Sequence, residues 1–168
     1  VPNHLRGRVF PGYERRFYVR EEIDGIVVHR VWMYAATGVG LRRLLSYLSF
    51  VLTCLFGLAK SDKPDYLFVE SPPLFLSLPA FIASRLWKVP FVFNVADLWP
   101  DSAEALGVVT NRLVLRFARR FELWTYRKAE VINAVTEGIR DTLVGIKCVE
   151  PDKIAFLPNG VDTDLFHY

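Results

Sequence analysis

The sequence predicts one α/β domain built on a doubly wound, mostly parallel sheet. Three observations support this fold class. Predicted strands and helices alternate along the chain, several strands are unbroken apolar runs, and 168 residues is the size of a single domain. Unbroken apolar strands are typical of parallel sheets that helices cover on both faces. Alternation of strand and helix then favours the doubly wound arrangement.

The first half of the chain is predicted to contain a hairpin, two helices and two buried strands. Two β-rich segments within residues 13–31 flank Asp24-Gly25, a pair that favours a tight hairpin turn. A cluster of helix breakers at residues 37–40 follows. We then expect a helix over 41–60, a strand over 66–70, a helix over about 74–87 and a strand over 91–95.

The second half continues the same alternation. A loop at residues 97–100 precedes a short helix near 101–106, and Asn111 is placed to cap a long helix that runs to about residue 128. The remaining predicted elements are a strand over 130–135, a short helix over 137–144 and a final strand over 153–157.

Composition excludes several classes of protein. Hydrophobic residues make up 52% and charged residues 23% of the chain, which excludes low-complexity disorder and collagen-like or disulfide-dense chains. The net charge of +3 is too small to indicate a nucleic-acid partner. Cys54 and Cys148 are isolated, and no CxxC, Cys/His cluster or HExxH motif is present. We therefore expect no metal site and a reducing compartment.

Ligands of open parallel sheets bind at the carboxyl ends of the strands, so four loops are candidates for the functional site. The first three also precede predicted helices, whose free N–H groups suit phosphate or carboxylate. The loops comprise residues 70–73, 96–101, 136–138 and 158–162.

Asp97 is the strongest candidate for a catalytic residue. It follows a five-residue apolar strand and lies in a loop stiffened by Trp99 and Pro100. A carboxylate there can accept a proton from a substrate hydroxyl. The alternative is that Asp97 caps the following helix. If Asp101 is the cap instead, Asp97 is free for function.

The other polar residues in these loops have structural interpretations of similar weight. Glu70 ends a buried strand, where a carboxylate is costly unless it is paired or reaches a site. Thr136 and Glu137 suit the cap and first turn of a helix, and Asn159-Gly160 is a turn signal. The three histidines are scattered, and no Ser/His/Asp set or glycine-rich phosphate loop is present.

Two predicted helices have features of membrane contact. Residues 44–59 form 16 consecutive uncharged, mostly apolar residues flanked by Arg42, Arg43 and Lys60. This run is shorter than the roughly 20 residues that a spanning helix needs. One interpretation is a helix packed on the sheet. The other is a monotopic helix whose basic flanks meet lipid phosphates.

The helix over 112–128 gathers its arginines on one side. At about 100° per residue, these fall on one arc and an apolar arc lies beside it. The basic arc holds Arg112, Arg116, Arg119, Arg120 and Arg127, and the apolar arc holds Leu113, Phe117, Phe121 and Trp124. A solvated basic face is one interpretation. A membrane-facing surface formed by Arg112, Arg116, Arg119 and Arg120, or a site for a pyrophosphate-bearing lipid, is the other.

Several segments resemble one enzyme family. FNVADLWPDSAEALGVV (93–109) and LPNGVDTDLF (157–166) resemble family 4 glycosyltransferases of the GT-B fold. The closest group is the bacterial enzymes that resemble colanic-acid and O-antigen N-acetylsugar transferases. Further matching segments are residues 1–13, 21–31, 44–50, 70–75 and 135–140. DLWPDSAEALG is the specific part, whereas NGVD is shared by the wider family.

The resemblance implies one Rossmann-like half of a two-domain retaining glycosyltransferase, the N-terminal domain that binds the acceptor. The implied reaction moves a sugar from a nucleotide sugar, UDP-linked, to a lipid-linked saccharide or polyprenyl phosphate in bacterial surface polysaccharide synthesis. The implied location is cytoplasmic, peripheral to the inner face of the plasma membrane, with its anionic surface as a partner. No cofactor, metal or nucleic acid is expected on this domain.

The resemblance also orders the candidate residues. The loop that carries Asp97 faces the interdomain cleft in this family, so we expect Asp97 to be catalytic and Trp99 to lie in the acceptor site. Weaker substrate-binding candidates at the cleft are Glu70, Ser71, Thr136 and Glu137. Those expected near the interdomain boundary and the donor are Asn159, Gly160 and Asp162.

The chain also departs from the family pattern. The opening strand and glycine-containing loop expected before residue 1 are absent, as is the whole donor-binding domain. We therefore expect residues 1–168 to be incomplete at both ends and inactive alone, with an exposed inner sheet edge. Two alternative functions remain. One is a non-catalytic membrane-docking or scaffolding module of the same fold, and the other is half of a GT-B-like sugar-nucleotide epimerase.

Overall fold

The computed structural model describes residues 9–36 and 41–164. Within them, the chain forms an antiparallel hairpin and a four-stranded parallel sheet flanked by helices, which confirms the predicted α/β fold class. The strands are β1 (Tyr18–Ile23), β2 (Ile26–Val31), β3 (Leu67–Ser71), β4 (Phe91–Val95), β5 (Val131–Ala134) and β6 (Ile154–Phe156). The helices are α1 (Leu41–Ala59), α2 (Ser77–Trp87), α3 (Asp101–Ala105), α4 (Arg112–Lys128) and α5 (Glu137–Gly145).

The hairpin closes where the sequence predicts. Ile23 pairs with Ile26 at its end, and the two turn residues between them both have positive φ, 51° at Asp24 and 79° at Gly25. Two positive φ angles are what a type I′ turn requires, and its twist matches that of the flanking strands. The predicted breaker cluster at residues 37–40 lies outside the described residues.

The parallel sheet has the order β3-β4-β5-β6, and its centre is fully buried. Phe93 of β4 is 1% exposed, and Ile132 of β5, which pairs with it, is 0% exposed. β3 lies at one edge of the sheet and pairs with β4 alone among the described strands. Phe68 on β3 is 60% exposed, so this edge has an uncovered apolar side chain.

Helix α1 packs mainly against β2 and α2. Thr53 in its middle is buried and donates to the carbonyl oxygen of Trp32, 2.6 Å away, which ties the helix to the end of the hairpin. The opposite side of α1 is exposed and apolar, with Leu52 70% exposed. By length and composition alone, Arg42–Ala59 is apolar enough to cross a membrane, a property that core helices of other proteins share.

Two predicted helix caps are confirmed. The Asn111 side chain accepts from the backbone N–H groups of Leu113 and Val114 at the start of α4, at 2.9 and 3.2 Å. Thr136 accepts from the N–H of Ile139, 3.2 Å away, at the start of α5. Each side chain satisfies backbone donors that the first turn of a helix leaves unpaired.

The buried face of α4 differs from its apolar arc. Leu113 and Phe117, which lie on that arc, are 73% and 63% exposed. The face that packs inward contains Leu115, Ala118, Glu122, Thr125 and Tyr126. Part of the apolar arc is therefore left on the surface.

Candidate functional site

A row of polar side chains connects the strands near the carboxyl edge of the sheet. Asn94 in β4 donates to the Glu70 carboxylate in β3, and Asn133 in β5 donates to the Asn94 side-chain oxygen. The donor–acceptor distance is 2.6 Å in each hydrogen bond. Asn133 also donates to the carbonyl oxygen of Leu157, just beyond β6, at 3.0 Å and accepts from its N–H at 2.8 Å. Both amides are nearly fully buried. The row therefore satisfies buried polar groups and gives Glu70 a structural partner.

Asp97 follows β4 and does not cap the next helix. The cap position of α3 is Pro100, and no side chain accepts from the first N–H groups of the helix. Instead, Asp97 Oδ2 accepts from the hydroxyl of Ser102 at 2.9 Å. Among the residues that the structure describes, Asp97 Oδ1 has no hydrogen-bond donor. The capping interpretation of Asp97 is therefore wrong, and one carboxylate oxygen is available to a ligand.

Asp101 does not act as the cap either, because it is the first residue of α3 and belongs to an ion-pair network. Its carboxylate lies 3.1 Å from Arg119 Nε and 2.5 Å from Lys147 Nζ. Lys147 also lies 2.8 Å from Glu122 Oε2, and Glu122 is fully buried. Arg119 contacts Glu104 as well. The network attaches α3, and with it Ser102, to α4 and to the chain after α5.

Burial and the ion pairs of the network shift the pKa values of its members in different directions. Burial alone would raise the pKa of Asp101, but hydrogen bonds from Lys147 and Arg119 outweigh burial and lower it. Burial raises the pKa of Glu122 despite its contact with Lys147. Burial would lower the pKa of Lys147, but its hydrogen bonds to Asp101 and Glu122 raise it. Burial, followed by the neighbouring Glu122 carboxylate, raises the pKa of Tyr126.

Asp97 lies in a groove between α1 and the segment formed by α3 and α4. The groove has a volume of about 890 Å³, and most of its lining is apolar. A smaller cavity of about 160 Å³, lined in part by Pro72 and Pro73 after β3, shares Asp97 and Trp99 with it. The apolar residues of the groove include Leu44, Leu48, Val51, Phe75, Leu106, Val108, Val114, Phe117 and Phe121.

Aromatic packing holds the loop that carries Asp97. The ring of Trp99 meets Phe75 edge to face, with centroids 5.6 Å apart, and Phe75 lies 5.4 Å from Phe121 of α4. Such aromatic pairs favour one relative orientation of the rings. Trp99 therefore lies close to Asp97, and both side chains line the groove.

The polar residues of the groove suit an organic ligand that carries a hydroxyl and an anionic group. Besides Asp97 and Ser102, the groove contains Tyr47 and Arg43 of α1. Arg43 Nε donates to the Tyr47 hydroxyl at 2.8 Å, and its guanidinium lies 4.9 Å from the centre of that ring. Within residues 9–36 and 41–164, no three carboxylate, histidine or cysteine side chains converge as metal ligands would.

The remaining candidate residues do not line the groove or the smaller cavity. Ser71 is buried, and its carbonyl oxygen accepts from the N–H of Ala96 at 3.2 Å, which joins the chain after β4 to the end of β3. Thr136 caps α5, and Glu137 is exposed in the first turn of that helix. The residues after β6, namely Asn159, Gly160 and Asp162, are exposed.

The arginines of α4 divide into two groups. Arg119 is held by Asp101 and Glu104. The other three predicted membrane-facing residues are exposed, and no carboxylate of the described chain forms an ion pair with them. These are Arg112, Arg116 and Arg120. Three of the four predicted residues are therefore free to meet an anionic surface.

Reasoning from the sequence missed several residues of this region. Asn94 and Asn133 gave a usable signal, since each is the one amide within a predicted apolar strand and the strands are consecutive. Ser102 and Tyr47 gave none, because only the tertiary arrangement brings α1 and α3 to the same groove. Arg43 was indicated by the sequence only as a basic flank of the apolar run at residues 44–59.

A sequence model of one enzyme family covers almost the whole chain. The model, described as a glycosyl transferase 4-like domain, matches residues 7–160. The chain belongs to this family. The four-stranded parallel sheet with its flanking helices is consistent with one Rossmann-like half of a GT-B fold. A search of curated proteins finds no match. For the glycosyl transferase 4-like domain, the groove at Asp97 is the candidate site of sugar transfer.

Proposed function

We propose that this glycosyl transferase 4-like domain binds the acceptor of a retaining glycosyltransferase and that Asp97 accepts a proton from the acceptor hydroxyl. The observation that carries the proposal is the position of Asp97, which lines the groove with Oδ2 held by Ser102 and no donor to Oδ1 among the described residues. Catalysis requires the base to lie within hydrogen-bond reach of the proton it removes. The fixed carboxylate supplies such a group at the carboxyl end of β4.

In the proposed step, one bond forms and one bond breaks at the anomeric carbon of the donor sugar. The hydroxyl oxygen of the acceptor saccharide forms a new bond to the anomeric carbon of the donor sugar, on the face from which the nucleotide leaves, and its proton passes to Asp97. With polyprenyl phosphate as acceptor, an ionised phosphate oxygen attacks instead and Asp97 receives no proton. The bond between that carbon and the phosphate oxygen of the nucleotide breaks, and the nucleoside diphosphate leaves with the electron pair. This domain contributes position and proton transfer.

The proposed donor is a UDP-linked sugar bound by a separate C-terminal domain, with no cofactor or metal on the present domain. The resemblance of residues 93–109 and 157–166 to family 4 enzymes supports this division of roles. On this proposal, residues 1–168 alone do not turn over a nucleotide sugar.

The proposed acceptor is a lipid-linked saccharide or polyprenyl phosphate, and the proposed role is bacterial surface polysaccharide synthesis at the cytoplasmic face of the plasma membrane. Two features of the described residues support a lipid acceptor. Most of the groove beside Asp97 is apolar, and the outer side of α1 exposes leucines such as Leu45 and Leu52. Lipid-linked substrates are presented at a membrane surface, where such groups are favourable.

The reaction is tested with the full-length protein, a set of radiolabelled nucleotide sugars, and polyprenyl phosphate or a polyprenyl-linked saccharide as acceptor. The proposal predicts that label from a UDP-sugar moves into the organic phase and that NMR shows a retained anomeric configuration. Inversion of configuration, or hydrolysis without transfer, would contradict it. Absence of both reactions would favour the non-catalytic scaffolding alternative.

Membrane contact is tested by reversing charge on α4. Replacing Arg112, Arg116 and Arg120 by Glu should weaken co-sedimentation of the full-length protein with anionic liposomes, because cationic side chains near an anionic surface each contribute about 1 kcal/mol. Arg119 is left unchanged, since its substitution would break the ion pairs of α3. The matched control makes the same change at Arg15, Arg16 and Arg20, which are also exposed. Equal loss in both variants would contradict a specific membrane-facing surface.

A further inference from the structure

The groove between α1 and α3–α4 has the composition of a hydrocarbon-binding site. Its volume of about 890 Å³ lies within the range of roughly 300–1,000 Å³ that small-molecule sites occupy. Phe117 and Leu106 line it, yet they are 63% and 79% exposed. These large apolar side chains share one concave surface. Covering them with an apolar ligand removes them from water, which lowers the free energy.

The polar groups of the groove cluster at one end. The smaller cavity beside Asp97 is lined by Leu44 and Tyr47 of α1, whereas Val51, two turns from Arg43, lines only the main groove. Tyr47 accepts from Arg43, so Arg43 is at the same end of α1. The ligand that fits has polar groups at one end, against Arg43 and Asp97, and an apolar remainder.

Charge at this end favours a phosphate. The Arg43 side chain is exposed, Tyr47 engages only its Nε, and no carboxylate in the described part of the chain forms an ion pair with it. Its terminal N–H groups can therefore donate to phosphate oxygens, an arrangement that guanidinium geometry suits. Asp97 is one carboxylate at the same end and can accept from a ligand hydroxyl.

The groove also opens onto an apolar surface. Leu45, Leu48 and Leu52 lie three and four residues apart on α1, so they form one stripe along the helix. Leu48 lines the groove, while Leu45 and Leu52 are 47% and 70% exposed beside it. A hydrocarbon chain longer than the groove can therefore continue along apolar surface, whereas a water-soluble saccharide gains nothing there.

We infer that this groove binds the hydrocarbon chain of a lipid-linked saccharide acceptor, with the lipid phosphate at Arg43 and the reactive sugar hydroxyl at Asp97. The inference rests on the proposed function, because it places the lipid so that the hydroxyl meets the proposed base. It adds that α1 and α4 select acceptors by their chain, and that Leu48 and Phe117 determine this selection.

The direct test is binding of single-chain phosphates to the full-length protein, measured by calorimetry below their micelle concentrations. The probes are inorganic phosphate, octyl phosphate and dodecyl phosphate. We expect the dissociation constant to fall as the chain lengthens, by up to about fourfold for each methylene that becomes buried. Equal affinity for octyl and dodecyl phosphate, or no binding of either, would overturn the inference.

Paired variants separate the groove from the surrounding surface. Replacing Leu48 and Phe117 by Ser should weaken dodecyl phosphate binding at least tenfold. The control replaces Leu86 and Leu113 by Ser, which are 77% and 73% exposed on α2 and α4 but do not line the groove. Equal weakening in both pairs would show adsorption to a general apolar surface and overturn the inference.

A second pair tests the phosphate contact. Arg43→Gln should weaken binding of all three phosphates, and Arg42→Gln, an exposed neighbour outside the groove lining, should not. The same loss in both variants would mean that net charge attracts the phosphate, which would overturn the role of Arg43.

Activity assays distinguish failure of this inference from failure of the proposed function. In the groove variant, we expect a raised KM for the lipid-linked acceptor and an unchanged kcat. Transfer with equal KM to a lipid-linked saccharide and to the same saccharide without its chain would refute chain binding while the transferase function stands. Chain-dependent binding of dodecyl phosphate without sugar transfer to any acceptor would refute the proposed function while the groove assignment stands.

Discussion

Lys147 shows how one side chain can fix the position of the candidate site. Its ammonium lies 2.8 Å from the fully buried Glu122 and 2.5 Å from Asp101 at the start of α3. α3 also carries Ser102, which holds Asp97. Lys147 therefore stabilises the fold and, through α3, the orientation of the proposed base.

Removing Lys147 should strongly destabilise the protein. Lys147→Met leaves Glu122 buried without its cation, and breaking a buried ion pair in this way costs about 3–5 kcal/mol. Denaturant unfolding measures the loss. The control is Arg140→Met, since Arg140 is exposed and its contacts in the described chain are an ion pair with Asp141 at 3.8 Å and a contact with the Phe156 ring. Such surface interactions contribute at most about 1 kcal/mol each. A loss below 1 kcal/mol for Lys147→Met would contradict the buried network.

Asp101 should make part of the stability depend on pH. Its pKa is lowered in the folded protein, so its ionised form stabilises the fold above the unfolded pKa of about 3.9. That contribution is lost as the pH falls through the lower folded pKa. We expect wild type to exceed Asp101→Asn in free energy of unfolding at pH 7 and pH 5, and the difference to shrink below pH 4. A difference that does not change between pH 5 and pH 3 would contradict this assignment.

Part of the candidate site could be predicted residue by residue. Asp97 was predictable because the apolar strand before it places it at a carboxyl end, where ligands of parallel sheets bind. Its local alternative, the helix cap, is excluded only by the structure, in which Pro100 holds the cap position of α3 and Asp97 accepts from Ser102. Predicting the row from Glu70 to Asn133 requires the strand order, because only the pairing of β4 with β5 places the two amides in register.

At the scale of elements, α1 depends on a close approach to the hairpin. A Cβ atom added at Gly57 would lie 2.9 Å from Cγ1 of Val31, which is buried. Valine is stiff at χ1 and cannot easily turn away. The glycine therefore allows α1 and β2 to pack together, although glycine is unfavourable within helices.

Gly57→Ala should test that packing. Alanine favours a helix by about 1 kcal/mol, while overpacking a tight contact costs about 1–3 kcal/mol, so we expect net destabilisation. Val31→Ala in the same chain should relieve the clash, and a double-mutant cycle of unfolding free energies measures the coupling. Gly138→Ala in α5, where nothing lies within 4 Å, is the control and should not destabilise. Independent, additive effects of the Gly57 and Val31 changes would contradict the contact.

The elements themselves were largely predictable, but their packing faces were not. The strands follow apolar runs, and the caps Asn111 and Thr136 follow ordinary preferences. In α4, however, Glu122 is buried while Phe117 is exposed. Hydrophobic periodicity could not predict this. Burial of the Glu122 carboxylate depends on its ion pair with Lys147, which lies 25 residues further along the chain.

At the scale of the whole molecule, the fold places the candidate site between layers. The parallel sheet brings Asp97 to its carboxyl edge, and α1 and α4 form the walls of an apolar groove beside it. The alternation of strands and helices predicted the sheet, and the match to the glycosyl transferase 4-like family fits that architecture. The groove was not predictable, since it forms between helices that are distant in sequence.

The central claim is that Asp97 is the base that receives the proton of the acceptor hydroxyl. The most direct test compares kcat for sugar transfer by the full-length protein before and after Asp97→Asn, with the exposed Asp65→Asn as control. General base catalysis contributes about 10²–10⁴-fold, so we predict a loss of that size for Asp97→Asn and none for the control. An unchanged kcat in Asp97→Asn, with the protein folded as wild type, would contradict the account.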